Sequence, residues 1–256
     1  MKKKNMVVSS ELTPDWVKKV GTMLAEIFRQ MCLWFKEPGK GLSLDQLQLF
    51  IEHRNPFAKA TVKLADAFEA IRRDWETFYK DVFGLVVDFS ALRIPKCPGT
   101  GWRLIIIAMG IGPELAYQIS KQIFGKAWKY HDASLDVVIV KNERSNKDGA
   151  YAIWVCDGQE ADEVHKNKSA NQIEAEKLFT ETGLERLVHG LKYFKETGKQ
   201  LDVKTITLCS GSRYYDGSVP RVYWNSGYDK LYVYWCNPGS AHDRLRAREV
   251  SCEEDR

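Results

Sequence analysis

Side chains suited to binding another molecule are concentrated between Arg213 and Arg248. Six of the chain's eleven tyrosines lie between Tyr214 and Tyr234, and no Glu, Gln or Met occurs from Leu201 to Arg248. Tyrosine gives a large, rather rigid contact area, whereas Ser, Gly and Asn give adaptable hydrogen bonds. This composition is typical of a binding surface. Composition alone leaves open an ordinary edge hairpin with a Tyr-rich solvated face.

A short pattern occurs twice in this stretch and predicts a hairpin. Arg221–Asn225 has the sequence Arg-Val-Tyr-Trp-Asn, and Tyr232–Cys236, eleven residues further on, has Tyr-Val-Tyr-Trp-Cys. Side chains alternate between the two faces of a strand, and the short polar loop between the copies favours an antiparallel hairpin. We therefore expect a buried scaffold on one side and a Tyr-rich surface on the other. The predicted scaffold residues are Val222, Trp224, Val233 and Trp235.

The predicted binding surface consists of the positions between and beside these scaffold residues. It comprises Tyr215, Ser218, Arg221, Tyr223, Asn225, Ser226, Tyr228, Tyr232, Tyr234, Cys236, Ser240, His242 and Arg244.

Three features of the sequence resemble a known family. They are Thr207–Tyr214 (Thr-Leu-Cys-Ser-Gly-Ser-Arg-Tyr), the paired Val-x-Trp cores and Leu245–Arg248 (Leu-Arg-Ala-Arg). Together they resemble the variable proteins of diversity-generating retroelements, in particular the branch found in candidate-phylum bacteria. The resemblance covers Gly183 to Ser251 well, about Trp102 to Thr182 more loosely, and the preceding residues only faintly.

The resemblance implies both a fold and a function. In that family a reverse transcriptase copies a template repeat with errors at adenines, and the copy replaces the 3′ end of the target gene. Asn codons then change to Tyr, His, Asp, Ser, Gly, Arg, Cys and a few apolar residues, but never to Lys, Glu, Gln, Met or Trp. The altered side chains are displayed on a C-type-lectin-like fold, which formylglycine-generating enzymes share. The resemblance thus implies a non-enzymatic protein that binds an unidentified protein or other macromolecule, with a variable region at about 213–248 and no cofactor.

Nucleic-acid binding is the alternative function. Five arginines with interleaved Tyr can grip a phosphate backbone and stack on bases; they are Arg213, Arg221, Arg244, Arg246 and Arg248. We expect at least one of the last two to pair with an acidic scaffold residue instead. The net charge of +4 is too mild to indicate nucleic-acid binding by itself.

Calcium-dependent sugar binding and catalysis have little support in the sequence. No Glu lies near Asn237–Gly239 to supply hard oxygen ligands. The cysteines Cys209, Cys236 and Cys252 do not reproduce the pair that formylglycine-generating chemistry needs. The acidic segment Asp157–Asn167 has no coordination spacing and is predicted to be a solvated loop. We therefore expect no metal ligand, no catalytic residue and no enzyme.

The whole chain is predicted to be an α+β protein of two domains. Three amphipathic helices, the third at about 58–82, predict an N-terminal helical bundle at residues 1–93. A predicted lectin-like domain follows at residues 94–256, and its first residues, from Ile94, form a Pro- and Gly-rich linker. Scattered cysteines, the lack of a signal peptide and the lack of a long apolar run favour a cytoplasmic location and no membrane insertion, and leave surface display open. The sequence indicates no oligomeric state.

Local signals in the second half predict where several elements begin and end. Ser169 to Gln172 and Thr182 to Glu185 are capping boxes, which begin helices expected to reach Phe179 and Gly198. The segment Asp136–Val140 is predicted to be a strand.

Overall fold

The structure, a computed structural model, describes residues 18–19, 21–26 and 60–252. The chain divides into two compact units, Met1–Asp66 and Ala67–Arg256. Residues 18–19 and 21–26 are helical and lie within the first predicted helix. The second predicted helix, and with it most of the predicted N-terminal bundle, lies outside the described residues. No helix of the described ranges is long and apolar enough to cross a membrane.

The division between the units lies earlier in the chain than residue 94, where the sequence places it. Trp75 and Phe78, from the third predicted helix, belong to the same hydrophobic cluster as Ile105. The hydroxyl of Tyr79 donates a hydrogen bond to the carbonyl of Ile106 (2.8 Å) and accepts one from the backbone N–H of Ala108 (3.0 Å). The aromatic stripe of this helix therefore packs on a strand of the second unit, and residue 94 lies inside that unit.

The second unit has a mixed α+β architecture, which confirms the predicted class. The helices described from residue 60 onward are α1 (Ala60–Phe78), α2 (Pro113–Phe124), α3 (Leu135–Val138), α4 (Ala170–Ala175) and α5 (Gly183–Thr197). A π-helical turn, Tyr79–Phe83, continues α1, and a 3₁₀ turn covers Glu163–His165.

Ten strands form three sheets in the described part of the chain. They are β1 (Trp102–Ile107), β2 (Ala127–Lys129), β3 (Ile139–Asn142), β4 (Tyr151–Cys156), β5 (Ile206–Leu208), β6 (Ser212–Tyr214), β7 (Val219–Asn225), β8 (Lys230–Cys236), β9 (Leu245–Arg246) and β10 (Val250–Ser251). One sheet has the order β1-β4-β10, a second β2-β8-β7-β5-β9, and a third pairs β3 with β6. Strand β10 pairs antiparallel with β4, so the end of the chain returns to the first sheet.

The helix ends follow local sequence signals closely. Both predicted capping boxes are formed, at Ser169 for α4 and at Thr182 for α5. Helix α5 ends at Gly198, which has a φ of 68° that glycine adopts without a steric cost. Helix α4 stops at Ala175, before the predicted Phe179, and Lys177 then takes a left-handed φ of 56°.

The segment predicted as a strand at Asp136–Val140 begins instead as a helical turn. The side chain of Ser134 accepts a hydrogen bond from the backbone N–H of Asp136, which caps α3. Strand β3 starts only at Ile139 and pairs with β6. A local cap therefore overrides the β-branched composition of this segment.

Two hydrophobic clusters lie on opposite sides of the five-stranded sheet. The larger one joins α1, α2, α5 and the first sheet to one face of β7 and β8. The smaller one lies over part of the other face and consists of Ala170, Ile173, Ile206, Leu208, Val219, Cys236, Leu245 and Ala247. One face of the sheet is thus covered by the main core, and the other is covered only in part.

Candidate functional site

Strands β7 and β8 form the antiparallel hairpin around which the candidate site is built. Val222 lies opposite Val233, and Tyr223 lies opposite Tyr232. Along β7, residues from Arg221 onward alternate between half-buried and buried, with the aromatic and polar side chains on the half-buried face. The register therefore places the three tyrosines at 223, 232 and 234 on one side, which we call the front of the hairpin.

The back of the hairpin enters the main core at the end nearest its loop. Val222 and Val233 are buried, and Trp224 is only 8% exposed. The ring of Trp224 meets that of Phe124 from α2 edge to face, with 5.9 Å between the centroids. Helix α2 therefore holds this end of the hairpin by aromatic packing.

Trp235 is not buried behind the hairpin, although its sequence pattern predicts that it is a scaffold residue. It is 36% exposed, and its ring neighbours are Tyr130 (5.9 Å) and Tyr234 (6.1 Å). Trp235 lies opposite Pro220 at the open end of the hairpin, far from the Phe124 that covers Trp224. The two Val-x-Trp copies thus have the same local pattern but different surroundings.

The thirteen predicted surface residues fall into three groups by burial. The exposed ones are Tyr215, Ser226, Tyr228, His242 and Arg244. The half-buried ones are Arg221, Tyr223, Asn225, Tyr232, Tyr234 and Ser240. The buried ones are Ser218 and Cys236.

The two buried residues are corrections to the predicted surface. Cys236 faces the front but lies beneath α4, in the smaller cluster beside Ala170 and Leu245. Ser218 lies in the turn before β7, where its hydroxyl donates a hydrogen bond to the carboxylate of Asp216 (2.6 Å). The backbone and side-chain hydrogen bonds from Ser218 also lower the pKa of Asp216. Helix α4 and this turn therefore cover the front of the hairpin at its open end, whereas Trp235 behind it stays exposed.

Strand β2 adds aromatic residues that sequence reasoning missed. It pairs in parallel with β8 and sets Trp128 beside Tyr232. The centroid of Trp128 lies 5.3 Å from that of Tyr232 and 5.6 Å from that of Tyr234. Tyr130, two residues later, lies 5.2 Å from Tyr234. The only sequence signal was the Trp-x-Tyr alternation itself, about a hundred residues before the hairpin.

Further ring contacts extend this group in both directions. Tyr232 lies 5.4 Å from Tyr223 and 6.4 Å from Tyr228. At the other end, His131 lies 5.1 Å from Tyr130 and 5.8 Å from Tyr215. A continuous series of rings therefore joins both strands of the hairpin to Tyr215. We call this series the aromatic face; it consists of Trp128, Tyr130, His131, Tyr215, Tyr223, Tyr228, Tyr232 and Tyr234.

Arg221 places a positive charge beside the rings of the aromatic face. Its guanidinium carbon lies 4.8 Å from the centroid of the Tyr234 ring, a cation–π contact. No carboxylate pairs with Arg221 in the described chain, and its buried Nε has no hydrogen-bond partner there. Partial burial lowers the pKa of the exposed His242, and the charges of Arg221 and Arg244 lower it further. The face can therefore accept an anionic group at Arg221.

A buried network of charges supports the hairpin from within the protein. The carboxylate of Asp202 accepts hydrogen bonds from Arg248 (2.7 Å) and Arg186 (2.8 Å), and the three side chains are almost fully buried. Burial alone raises the pKa of Asp202, but the two guanidinium groups lower it to about 2. The carbonyl of Asp202 also accepts a hydrogen bond from the backbone N–H of Trp224 (3.2 Å). The expected pairing of a C-terminal arginine with an acidic scaffold residue is therefore observed at Arg248.

A buried acid–base pair lies close to this network. Nδ1 of His189 and a carboxyl oxygen of Glu181 are 2.8 Å apart, and both side chains are fully buried. Burial raises the pKa of Glu181 to about 8, although Arg248 and Arg186 act in the opposite direction. Burial lowers the pKa of His189 well below 6.5. Because neither group reaches solvent, the pair has no access to a substrate in this structure.

No cluster of three or more His, Cys, Asp or Glu side chains able to hold a metal is found among the described residues. In the acidic segment, Asp157 pairs with Arg103 (2.8 Å), and Asp162 accepts a hydrogen bond from the backbone N–H of Glu249 (2.7 Å). His165 is buried and lies 3.2 Å from the carboxylate of Glu249. These contacts therefore join the acidic segment to β1 at Asp157 and to the residue before β10 at Asp162 and His165.

No protein family, no curated protein and no solved structure was found to match this chain.

Proposed function

We propose that this chain is a non-enzymatic binding protein whose aromatic face recognises another macromolecule and is diversified by a retroelement. The observation that carries the proposal is the separation of the two faces of the hairpin. Residues with the composition of a binding surface occupy the half-buried front, while Val222, Trp224 and Val233 are buried behind them. Side chains on the part of the front that α4 leaves uncovered can therefore be exchanged without a change in the main core.

The buried residues at the end of the stretch support the same proposal. Leu245, Ala247 and Arg248 are buried, and Arg248 is bound by Asp202. The fold that we propose is the C-type-lectin-like one implied by the sequence resemblance, preceded by a helical region within residues 1–93. The mixed α+β architecture of the described residues is compatible with it.

Three of the five arginines considered for nucleic-acid binding form ion pairs within the protein, which weakens that alternative. Arg248 is buried against Asp202, Arg246 pairs with Glu163, and Arg213 pairs with Glu174 (3.1 Å). Only Arg221 and Arg244 lie outside these ion pairs. Because a phosphate backbone requires several free cations along its path, two are a weak basis for such binding.

The test is nucleotide variation at the 3′ end of this gene across a population of the source organism. We expect substitutions to concentrate at the codons for Tyr215 to Arg244, to match adenines in a nearby repeat, and to spare Trp224 and Trp235. The genome is also expected to carry that repeat beside a reverse transcriptase gene. An invariant stretch without a repeat would refute diversification.

A further inference from the structure

We infer that Trp128 and Tyr130 form a fixed part of the binding site, and that the site receives an acidic side chain of a folded protein partner at Arg221. This inference rests on the proposed function and adds two things to it. It names residues outside the stretch 213–248, and it states the chemistry of the partner.

Trp128 and Tyr130 are placed to contact any partner that covers the hairpin front. They are 37% and 47% exposed, although both have large aromatic side chains. Their rings lie within 5.6 Å of Tyr232 or Tyr234, so a molecule that covers these tyrosines also meets Trp128. Trp and Tyr, with Arg, are the residue types that contribute most to binding energy at protein interfaces.

Strand β2 remains the same whichever side chains occupy the hairpin. It lies outside the variable region, and Trp is not among the residues that adenine errors in Asn codons produce. The backbone pairing of Trp128 with Tyr232 does not depend on the side chain at position 232. Trp128 therefore supplies each variant with the same rigid contact area, at the low entropy cost typical of aromatic residues.

The orientation of the rings favours a protein partner over bases or sugars. Tyr223 and Tyr232 are stacked at 17°, and Trp128 and Tyr234 at 29°. The guanidinium of Arg221 also lies over Tyr234. One face of each stacked ring is thus covered by its neighbour, which leaves fewer of the free ring faces that base stacking needs. The tyrosine hydroxyls add polar contacts to these apolar rings, and such a mixture suits the surface of a folded protein.

The positive charge of Arg221 indicates which group of a partner it would bind. Its guanidinium has no carboxylate partner in the described part of the protein, and its cation–π contact leaves the charge uncompensated. Arginine and carboxylate form strong, often bidentate hydrogen bonds, which strengthen where water is excluded by surrounding rings. An Asp or Glu side chain of the partner fits this position.

The experiment uses a phage-displayed small folded domain with one randomised ten-residue loop as the probe. The library is selected against the full chain after depletion on the Tyr232→Ala/Tyr234→Ala double variant, so that the retained clones depend on the hairpin front. Their dissociation constants are then measured for Trp128→Ala, Tyr130→Ser and Arg221→Met. Phe179→Ala is the matched control, because Phe179 is a 48% exposed aromatic residue outside the aromatic face. Near-UV circular dichroism verifies that each variant is folded.

We expect Trp128→Ala to weaken most retained clones by about tenfold or more, and Phe179→Ala by less than about twofold. The loops should be enriched in Asp or Glu, and those clones should lose affinity for Arg221→Met. If the clones bind Trp128→Ala and Tyr130→Ser as well as the unmodified chain, the inference is overturned and the proposed function stands. If no clone survives depletion, the proposed function fails as well. Salt-dependent binding of labelled single-stranded dT20 that Trp128→Ala abolishes would assign the face to nucleic acid and overturn the protein partner.

Discussion

Replacing each of the two hairpin tryptophans by alanine tests whether burial, and not the repeated sequence pattern, determines their roles. Trp224 is 8% exposed and packs on Phe124, whereas Trp235 is 36% exposed. Burying about 200 Å² of aromatic side chain at about 25 cal/mol/Å² contributes up to about 5 kcal/mol. Measured Trp or Phe to Ala changes in cores cost about 3–5 kcal/mol. We therefore expect about 3–5 kcal/mol for Trp224→Ala.

The same substitution at Trp235 should cost less than about 2 kcal/mol, because water and the exposed neighbouring rings can occupy the space and no closed cavity remains. The free energy of unfolding is measured in urea, with circular dichroism and tryptophan fluorescence required to give coincident transitions. At an m-value of about 2 kcal/mol/M, the midpoints should fall by about 2 M for Trp224→Ala and by less than about 1 M for Trp235→Ala. Equal losses, or a larger loss at Trp235, would refute the conclusion that Trp224 supports the core and Trp235 does not.

Two further predictions concern the buried charges. Arg248→Met should destabilise the fold by about 3–5 kcal/mol in urea unfolding, because it leaves the buried carboxylate of Asp202 with one partner fewer. The exposed control Arg244→Met should cost less than about 1 kcal/mol. Equal costs for the two variants would contradict a stabilising role of the buried network. The pair of Glu181 and His189 should make stability fall between pH 6.5 and 8. A raised pKa of about 8 in the folded state means that the contribution of Glu181 is complete below its unfolded pKa of 4.5 and is lost as the pH rises through 8. The lowered pKa of His189 gives a contribution that is complete above 6.5 and lost at lower pH, so it opposes the effect of Glu181 below pH 6.5 and leaves that effect unopposed above it. A difference of one bound proton between the folded and unfolded states lowers the free energy of unfolding by about 2 kcal/mol from pH 6.5 to 8. Glu181→Gln should abolish this fall. An unchanged pH dependence of stability in that variant would refute the assignment.

The faces of the hairpin could be predicted from sequence because strand alternation is a local property. The two-residue period places Tyr223 and Val222 on opposite sides whatever lies around them. What covers each face is not local. Phe124 covers Trp224 at one end, whereas α4 covers Cys236 at the other, and neither contact follows from the sequence of the hairpin.

The contribution of β2 could not be predicted for a similar reason. Trp128 reaches the site through parallel pairing with β8, a strand about a hundred residues later in the chain. A three-residue strand has too short a pattern to indicate its partner. The packing of α1 was also not predictable, because an apolar stripe that includes Trp75 and Phe78 can pack on a helix or on a strand with the same sequence.

A binding surface that is diversified as proposed requires a scaffold whose stability does not depend on that surface. The buried charges of Arg186, Asp202 and Arg248 and the packing of Trp224 meet this requirement, since they lie behind the front of the hairpin. Cys236 lies on the front by strand alternation but is 5% exposed beneath α4. A Tyr or Arg at that position would overfill a packed cluster, which typically costs about 1–3 kcal/mol. Natural variation should therefore be wide at the half-buried tyrosines and narrow at Cys236, although adenine errors could alter both positions, because packing and not mutation sets the limit there.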